Sequence, residues 1–303
     1  MLVDDAGRYE FIPSYSPETG AGITSTMDVM VCKDALRSLI TASKVLGTDT
    51  DKLPHWEAML NKLPDYRINS DGALAEWITE GGGKRYKHRH LSHLHSCYEA
   101  LEDPQLDDNP AMQEAAKQAT LLRIHSGGEV SSHGRVHMGL AAAHLGMAEE
   151  AFGRLQVMAT GGSMYDSLMC SHEPNGRIFN LDANGAMPEI LNRMLVRSHP
   201  GSLDLLPALP KAWPKGEIRG IRARQQILIK RLAWDVAAKR LTLELTSKRD
   251  QAITLSLPAA KSLNTIKVTA GTARIEQVDG KPAMRQVHLK KDSPVTLEIT
   301  SDS

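Results

Sequence analysis

The chain has 303 residues, enough for one large domain or two medium domains with real cores. Lys plus Arg and Asp plus Glu each total 36, so the formal net charge is zero, which argues against a nucleic acid or an anionic membrane held by bulk charge. The three cysteines are far apart and form no CxxC pair, so neither a disulfide framework nor a thiolate zinc site is expected.

The N-terminal segment, MLVDDAGRYEF, has acidic residues where a secretory signal peptide has a basic and then an apolar stretch. No apolar run approaches the roughly 18 residues of a membrane-spanning helix. We therefore expect neither an export signal nor a membrane span in this sequence, and the compartment stays open. Residues 1–25, rich in Gly, Pro and Ser, are predicted to be irregular.

Helical periodicity begins at Asp28, where apolar residues recur every three or four positions until Gly47 ends the pattern. The two segments that meet at Gly146 predict a helical hairpin. The further predicted helices lie near 70–79, 91–102, 109–124, 134–146, 147–159 and 186–197. Six or seven helices are too few for a closed (α/α)6 toroid, so the pattern predicts a mainly α domain that is a partial toroid.

The composition changes after residue 200. The segment LLPALPKAWPKGE is rich in proline and cannot be helical throughout. Short alternating apolar runs follow, which is typical of a small antiparallel, sandwich-like β domain. We place the boundary near residue 215, giving a helical domain at 1–214 and a β domain at 215–303. The predicted strands lie at 227–229, 241–245, 253–257, 266–268, 287–289 and 295–299.

Glu18 stands in the segment PSYSPET. The two prolines favour an extended backbone, which predicts a carboxylate on a stiff loop rather than on a helix. Such a carboxylate suits a proton donor. By composition alone, an exposed loop acid or a cap for the helix that follows is favoured over a catalytic acid.

A histidine cluster occupies the segment KHRHLSHLH, after a glycine-rich loop. Three interpretations fit it: a solvated basic turn, a zinc site formed by HxH and a further histidine, or recognition of sugar hydroxyls by several directional donors. The positive charge of Lys87 and Arg89 and the absence of an acid inside the cluster argue against zinc. Trp77 upstream offers a face for a sugar ring or fills a core. The cluster consists of His88, His90, His93 and His95, with Arg89 among them.

Asp182 and Asn184 lie in a predicted loop that ends at Gly185, before an amphipathic helix. Asp and Asn in front of a helix are standard N-caps, so a structural role fits. The N-terminus of a helix also favours a nearby negative charge, and an ionised Asp is what a general base needs. Composition alone favours the capping interpretation of Asp182 over the catalytic one.

Taken together, these motifs resemble the glycoside hydrolase family 95 enzymes, chiefly α-L-fucosidases that invert configuration. HRHLSHL and LLPALPKAWP are distinctive at this length, and the match runs from about residue 8 to about residue 260. The motifs occur in the order of the family: PSYSPE, STMD at Ser25–Asp28, EW at Glu76–Trp77, HRHLSHL at His88–Leu94, MYDSL at Met164–Leu168, FNLDANG at Phe179–Gly185 and LLPALPKAWPKGEIRGIRAR at Leu205–Arg224.

The resemblance implies a partial (α/α)6 toroid followed by a small β domain, without a metal or another cofactor. It implies that Glu18 is the general acid and Asp182 the general base. The substrate would be a glycan with a terminal α-L-fucose or a similar sugar. Residues that would border or contact the sugar are His88, Arg89, His90 and His93 of the HRHLSHL motif, together with Trp77 and Asn184.

The sequence departs from the family in three ways. Family members carry an N-terminal β domain, a linker and the first half of the toroid, including an asparagine pair that assists the catalytic Asp, and we expect this chain to be the C-terminal part alone. The stretch around Asp182 differs from the usual HPPFQIDGNFG. An aromatic-rich helix near 130–140 is replaced by SSHGRVHMG.

These departures leave alternatives open. Another sugar, such as an α-L-galactoside, fits the same fold, and so does an inactive remnant or a non-catalytic sugar-binding fragment. An incomplete toroid would expose helix faces, so we expect the isolated chain to associate through the open face. The class implies a secreted or periplasmic parent protein.

Overall fold

The computed structural model describes residues 2–17, 20–81, 85–99, 102–127 and 131–302. The chain forms two compact units. Unit 1 comprises Met1–Leu145 and Arg154–Ala186, and unit 2 comprises Gly146–Gly153 and Met187–Ser303. Within the described ranges, every helix is too short or too polar to cross a membrane.

Helices dominate the first two thirds of the chain, as the sequence predicts. The described α-helices are α1 Thr26–Leu46, α2 Leu53–Lys62, α3 His95–Tyr98, α4 Pro104–Asp107, α5 Pro110–His125, α6 Ser132–His144, α7 Ala148–Thr160 and α8 Leu181–Leu195. The predicted helix from Asp28 to Gly47 is confirmed by α1. Ser25 caps it by accepting a hydrogen bond from the backbone N–H of Asp28, and Gly47 ends it with a left-handed backbone, φ 66°.

The predicted helix at 70–79 is wrong. Gly72 adopts a left-handed conformation, φ 82°, and the residues after it are irregular, with isolated β-bridges at Leu74 and Trp77. Their backbone N–H groups donate to distant carbonyls rather than to the preceding turn: Leu74 to Ala115, and Ala75 to Arg67. Residues 73–77 are buried without an exposed side, so their apolar spacing reflects a segment enclosed by neighbours and not an amphipathic helix.

The structure also corrects the start of α8. The sequence predicts a loop up to Gly185, whereas α8 begins at Leu181 and contains Asp182 and Asn184 in its first turn. The cap is Asn180, whose side-chain oxygen accepts from the N–H of Ala183 at 2.8 Å. Pro188 lies inside the helix, in its second turn.

Most strands follow α8. Four further strands form two short hairpins near the N-terminus, where the sequence predicts no regular structure. The strands are β1 Leu2–Val3, β2 Tyr9–Glu10, β3 Ser14–Ser16, β4 Gly20–Gly22, β5 Val196–His199, β6 Ser202–Leu205, β7 Lys215–Ala223, β8 Ile227–Asp235, β9 Arg240–Ser247, β10 Gln251–Ser256, β11 Ser262–Ala270, β12 Arg274–Gln277, β13 Met284–Leu289 and β14 Val295–Asp302.

Unit 2 contains two five-stranded sheets, in the orders β12-β13-β10-β6-β5 and β11-β14-β9-β8-β7. All neighbouring strands are antiparallel except β6 and β10, which are parallel. Burial alternates along β9 and β14, so one face of each strand points inward. Both sheets contribute to one hydrophobic core, for example Leu255 and Val287 from the first and Leu243 and Leu297 from the second.

The six predicted strands are confirmed, since each lies in one of the strands from β8 to β14, apart from Leu257, which follows the last residue of β10. The first strand of these sheets, β5, begins at Val196, ahead of the change that the sequence places near residue 215. The proline-rich segment between β6 and β7 is irregular, as predicted. The boundary between domains 1–214 and 215–303 stays a prediction.

Candidate active site

Asp182 lies in the first turn of α8 with 57% of its side chain exposed. Since Asn180 supplies the cap, the carboxylate of Asp182 is available for another contact. Its Oδ2 atom lies 2.8 Å from Nδ1 of His133, the second residue of α6. An acid at the start of a helix is favourably placed in the field of the free backbone N–H groups.

The segment at 170–172 positions both helix starts. The backbone N–H and the hydroxyl of Ser132 donate to the carbonyls of His172 and Ser171, which fixes the start of α6. Asn184 of α8 accepts from the N–H of Cys170 and donates to the carbonyl of Leu168. Because one segment ties both helices, His133 and Asp182 are brought together across a separation of 49 positions in the sequence.

The HRHLSHL motif adjoins this pair. Nδ1 of His90 lies 3.2 Å from Nε2 of His133, and the His88 and His90 rings lie 5.3 Å apart, centroid to centroid. Nδ1 of His88 accepts a hydrogen bond from the backbone N–H of His90, which fixes the turn between them. Arg89 is half-buried between these two histidines.

A buried ion pair supports the motif. Nη2 of Arg123 lies 3.3 Å from Oε2 of Glu76, and the side chains are 1% and 6% exposed. Nη1 of Arg123 donates to the carbonyl of His88 at 2.9 Å. The other carboxylate oxygen of Glu76 accepts from the hydroxyl of Ser16 at 2.6 Å, and that hydroxyl lies 2.8 Å from the hydroxyl of Ser92.

Ser16 connects this network to the predicted acid. Ser16 ends β3, and β3 pairs with β4. Glu18 itself lies outside the described residues. Its predicted separation from Asp182, roughly 6.5–9.5 Å between carboxyl groups for an inverting site, therefore stays a prediction.

Two residues that were predicted to contact the sugar, Trp77 and Asn184, contact other parts of the protein in the structure. The Trp77 ring is 6% exposed and packs on Gly22, where an added Cβ would lie 2.7 Å from the ring. This position fits the core interpretation of Trp77. The Asn184 amide uses its oxygen and its nitrogen on the 168–170 backbone, as described above. Contacts of either residue with a sugar stay predictions.

His93 is also buried, with 1% of its surface exposed. Burial, and then the positive charge of Arg123, lower the pKa of His93 to about 4, although Glu76 acts in the opposite direction. His137, four residues after His133 on α6, has its pKa lowered to about 4 by burial and then by His133. Both imidazoles are therefore neutral at pH 7, which limits the positive charge behind the site.

Because His93 is buried in its neutral form, we expect unit 1 to lose stability in acid. In the unfolded chain the imidazole binds a proton near pH 6.5, whereas in the folded chain it binds one only near pH 4. The free energy of unfolding should therefore fall as the pH is lowered from about 6.5 to about 4, by roughly 2–3 kcal/mol for this side chain. Urea unfolding measured at several pH values checks this expectation.

The matched control for this pH dependence is an exposed histidine on α5. His93→Gln should reduce the dependence of unfolding free energy on pH between 6.5 and 4, to which His137 still contributes, while His125→Gln should leave the dependence as in the parent chain. Equal slopes in His93→Gln and the parent would contradict the assignment.

The zinc interpretation gains no support from the described part of the chain. There, no group of three or more His, Cys, Asp and Glu side chains is arranged to hold a metal ion. The histidines instead contact one another edge to face: the His133 ring lies 4.9 Å from His90 and 4.2 Å from His137, centroid to centroid.

Three residues of the candidate site were not identified from the sequence: His133, Arg123 and Ser16. The sequence does contain one signal for His133, since HGRVH places His133 and His137 four residues apart and so on one face of a helix. Arg123 carried no signal, because a single Arg near the end of an amphipathic pattern is usually exposed. Ser16 was noticed only as part of the motif around Glu18.

Comparison with known proteins agrees with the motif order. The model of the glycosyl hydrolase family 95 catalytic domain matches residues 1–195, and that of the glycoside hydrolase family 95 C-terminal domain matches residues 197–296. The chain belongs to glycoside hydrolase family 95. The resemblance drawn from the motifs is thereby confirmed.

Two curated relatives of this family 95 chain are named as fucosidases. It is 29% identical over 239 residues to alpha-L-fucosidase 2 of Arabidopsis thaliana, covering 72% of this chain and 27% of that protein. It is 29% identical over 175 residues to probable alpha-fucosidase A of Aspergillus niger, covering 53% of this chain and 22% of that protein. The chain thus spans about a quarter of the length of these relatives.

Among solved structures, a GH127 beta-L-arabinofuranosidase from Geobacillus stearothermophilus T6 matches 90% of this family 95 chain and 42% of its own chain. The sequence identity is 10% and the TM-score is 0.25. A likeness at this level carries no argument about the fold or the activity.

Proposed function

We propose that this chain supplies the general acid and the general base of an inverting glycoside hydrolase that removes terminal α-L-fucose from glycans. The observation that carries the proposal is the contact of Asp182 with the HRHLSHL motif through His133, in a chain of family 95. A half-exposed carboxylate bordered by imidazoles has both the access to solvent that a water-activating base needs and donors for sugar hydroxyls.

In the proposed mechanism Glu18 is protonated and gives its proton to the glycosidic oxygen as the bond breaks. Asp182 accepts a proton from a water molecule on the opposite face of the sugar, and that water attacks the anomeric carbon. The assignment of Glu18 rests on the SPE motif. The assignment of Asp182 rests on the LDAN motif and on the contact with His133.

We further propose that His88, Arg89 and His90 border the sugar, and that His93 and Trp77 support them from within. The burial of His93 and Trp77 favours this division. The long helices α1, α2 and α5 to α8 would belong to an (α/α)6 toroid, of which this chain contributes a part.

Hydrolysis of aryl α-L-fucosides and aryl α-L-galactosides by the chain, and by the longest protein that contains it, tests the proposal. We expect release from the fucoside, with the β-anomer of L-fucose appearing first in an NMR time course because inversion turns an α-linkage into a β-product. Preference for the galactoside would change the substrate and keep the mechanism. The α-anomer as first product would exclude inversion, and hydrolysis of neither glycoside by either protein would overturn the proposed function.

Large apolar side chains next to this site support the expected association of the isolated chain. Those exposed between positions 165 and 181 are Tyr165, Leu168, Met169, Ile178, Phe179 and Leu181. We expect sedimentation velocity to give a mass that rises with concentration, and Ile178→Lys with Leu181→Lys to reduce that rise. Val236→Lys, at an exposed apolar position of unit 2, is the control. A monomer at every concentration would contradict the expectation.

A further inference from the structure

His133 contacts Asp182 on one side and His90 on the other. Its Nδ1 atom lies 2.8 Å from Oδ2 of Asp182, and its Nε2 atom lies 3.2 Å from Nδ1 of His90. The three side chains come from α8, α6 and the HRHLSHL motif, which are distant in the sequence. None of the motifs that identify the family includes His133.

The chemistry of the two contacts fixes where the protons lie. An ionised carboxylate only accepts hydrogen bonds, so the proton between Asp182 and His133 belongs to Nδ1 of His133. A neutral imidazole carries one proton, so Nε2 of His133 is then an acceptor. The contact with His90 is a hydrogen bond only if Nδ1 of His90 carries the donated proton. With a neutral His133 ring, one arrangement of protons therefore satisfies both contacts.

Packing holds the His133 ring in the plane that this arrangement needs. The His137 ring lies edge to face against it at 4.2 Å between centroids, and the Tyr98 ring stacks on His137 at 4.9 Å with an interplanar angle of 8°. The start of α6 is fixed in turn by the two hydrogen bonds of Ser132 to the 171–172 backbone. A ring confined in this way presents its Nδ1 atom to Asp182 at low entropic cost.

We propose that His133 is a positioning residue for Asp182, and that it and His90 form a relay in which both imidazoles carry their proton on Nδ1. The role in catalysis rests on the proposed function of Asp182, whereas the proton positions do not. Holding Oδ2 of Asp182 on His133 directs the other carboxylate oxygen to the water molecule. It also makes Nδ1 of His90 the donor of that ring and leaves its Nε2 as the acceptor.

The same helix offers a matched control. At the other end of α6, Nε2 of His144 lies 2.9 Å from Oδ1 of Asp107. This is also a contact between a carboxylate and an imidazole, but through the opposite ring nitrogen. By the same argument the proton of His144 lies on Nε2. His133 and His144 should therefore show opposite tautomers within one protein.

Long-range proton–nitrogen NMR correlation of the ¹⁵N-labelled chain at pH 8 tests the relay without any substrate. The chain has twelve histidines, and the signals of the three that matter are assigned by their loss in His133→Asn, His90→Gln and His144→Asn. We expect protonated Nδ1 in His133 and His90 and protonated Nε2 in His144. Asp182→Ala should populate the Nε2–H form of His133 and leave His144 unchanged. An unprotonated Nδ1 in either His133 or His90 of the parent chain, or no response of His133 to Asp182→Ala, would overturn the relay.

Kinetics test the positioning role once hydrolysis is measured. His133→Leu should lower kcat on the order of 10²-fold with a smaller change in KM, since misplacement of a catalytic group acts on the chemical step. His133→Asn keeps a donor near the position of Nδ1 and should recover most of the loss, while His144→Asn should have no effect. Equal losses in His133→Leu and His133→Asn would overturn the positioning role, and the NMR result shows separately whether the relay exists.

Discussion

Asp182→Asn is expected to lower kcat for an aryl α-L-fucoside by about 10²–10⁴-fold, the usual contribution of a general acid or base. The substitution keeps the size of the side chain and leaves an oxygen that accepts a hydrogen bond from His133. It removes only the ability to take a proton from water. KM should change little, because the sugar is expected to be bound mainly by the HRHLSHL motif and not by Asp182. Initial rates over a range of fucoside concentrations provide both constants.

The matched control lies on the same helix. Glu189 is another partly exposed carboxylate of α8, paired with Arg193 at 2.7 Å. Glu189→Gln removes the same kind of charge from the same element and should leave kcat unchanged. Unchanged turnover in Asp182→Asn would remove Asp182 from the mechanism, and an equal loss in both variants would indicate a general effect on α8.

Glu76→Gln is expected to destabilise unit 1 by about 3–5 kcal/mol, because it removes the carboxylate charge that faces the buried guanidinium of Arg123. Arg123 is 1% exposed, so water cannot replace the lost carboxylate. The same change weakens the contacts of Ser16 and His88 with this network, so both the chain around Glu18 and the HRHLSHL motif lose support. Urea unfolding of Glu76→Gln and of the parent chain measures the difference in the free energy of unfolding.

An exposed ion pair of unit 1 provides the comparison. Lys44 at the end of α1 lies 2.8 Å from Glu57 of α2, with both side chains about half exposed. Glu57→Gln should cost no more than about 1 kcal/mol, the usual upper value for a surface pair. If Glu76→Gln were no more destabilising than Glu57→Gln, the buried pair would not be the support that its burial indicates.

The positions of helices and strands were predictable from the sequence where one side of the element faces solvent and the other is buried. In α1, Ser25 and Gly47 mark both ends, and in β9 and β14 buried and exposed residues alternate, so local pattern and final structure agree. The segment at 70–79 was mispredicted for the opposite reason. It is enclosed by neighbours, and its N–H groups bond to residues as distant as Ala115, so its apolar spacing carries no periodic signal.

The same distinction applies to the candidate site. Asp182, His88, Arg89 and His90 were found because they stand in motifs whose order is specific to a family. His133 was missed because its role depends on a partner 49 positions away, which no local pattern reveals. The capping role that composition favoured for Asp182 is filled by Asn180 instead.

The sequence by itself determined the family and the identity of the residues proposed as acid and base, because seven short motifs in a fixed order are improbable together by chance. It also determined that helices precede strands, since hydrophobic periods of 3.6 and 2 are local properties. Only the tertiary structure decided which side chains support those residues. Hydrogen bonds such as Asp182 with His133, and buried pairs such as Glu76 with Arg123, join segments far apart in the chain, and they exist only after folding has brought those segments together.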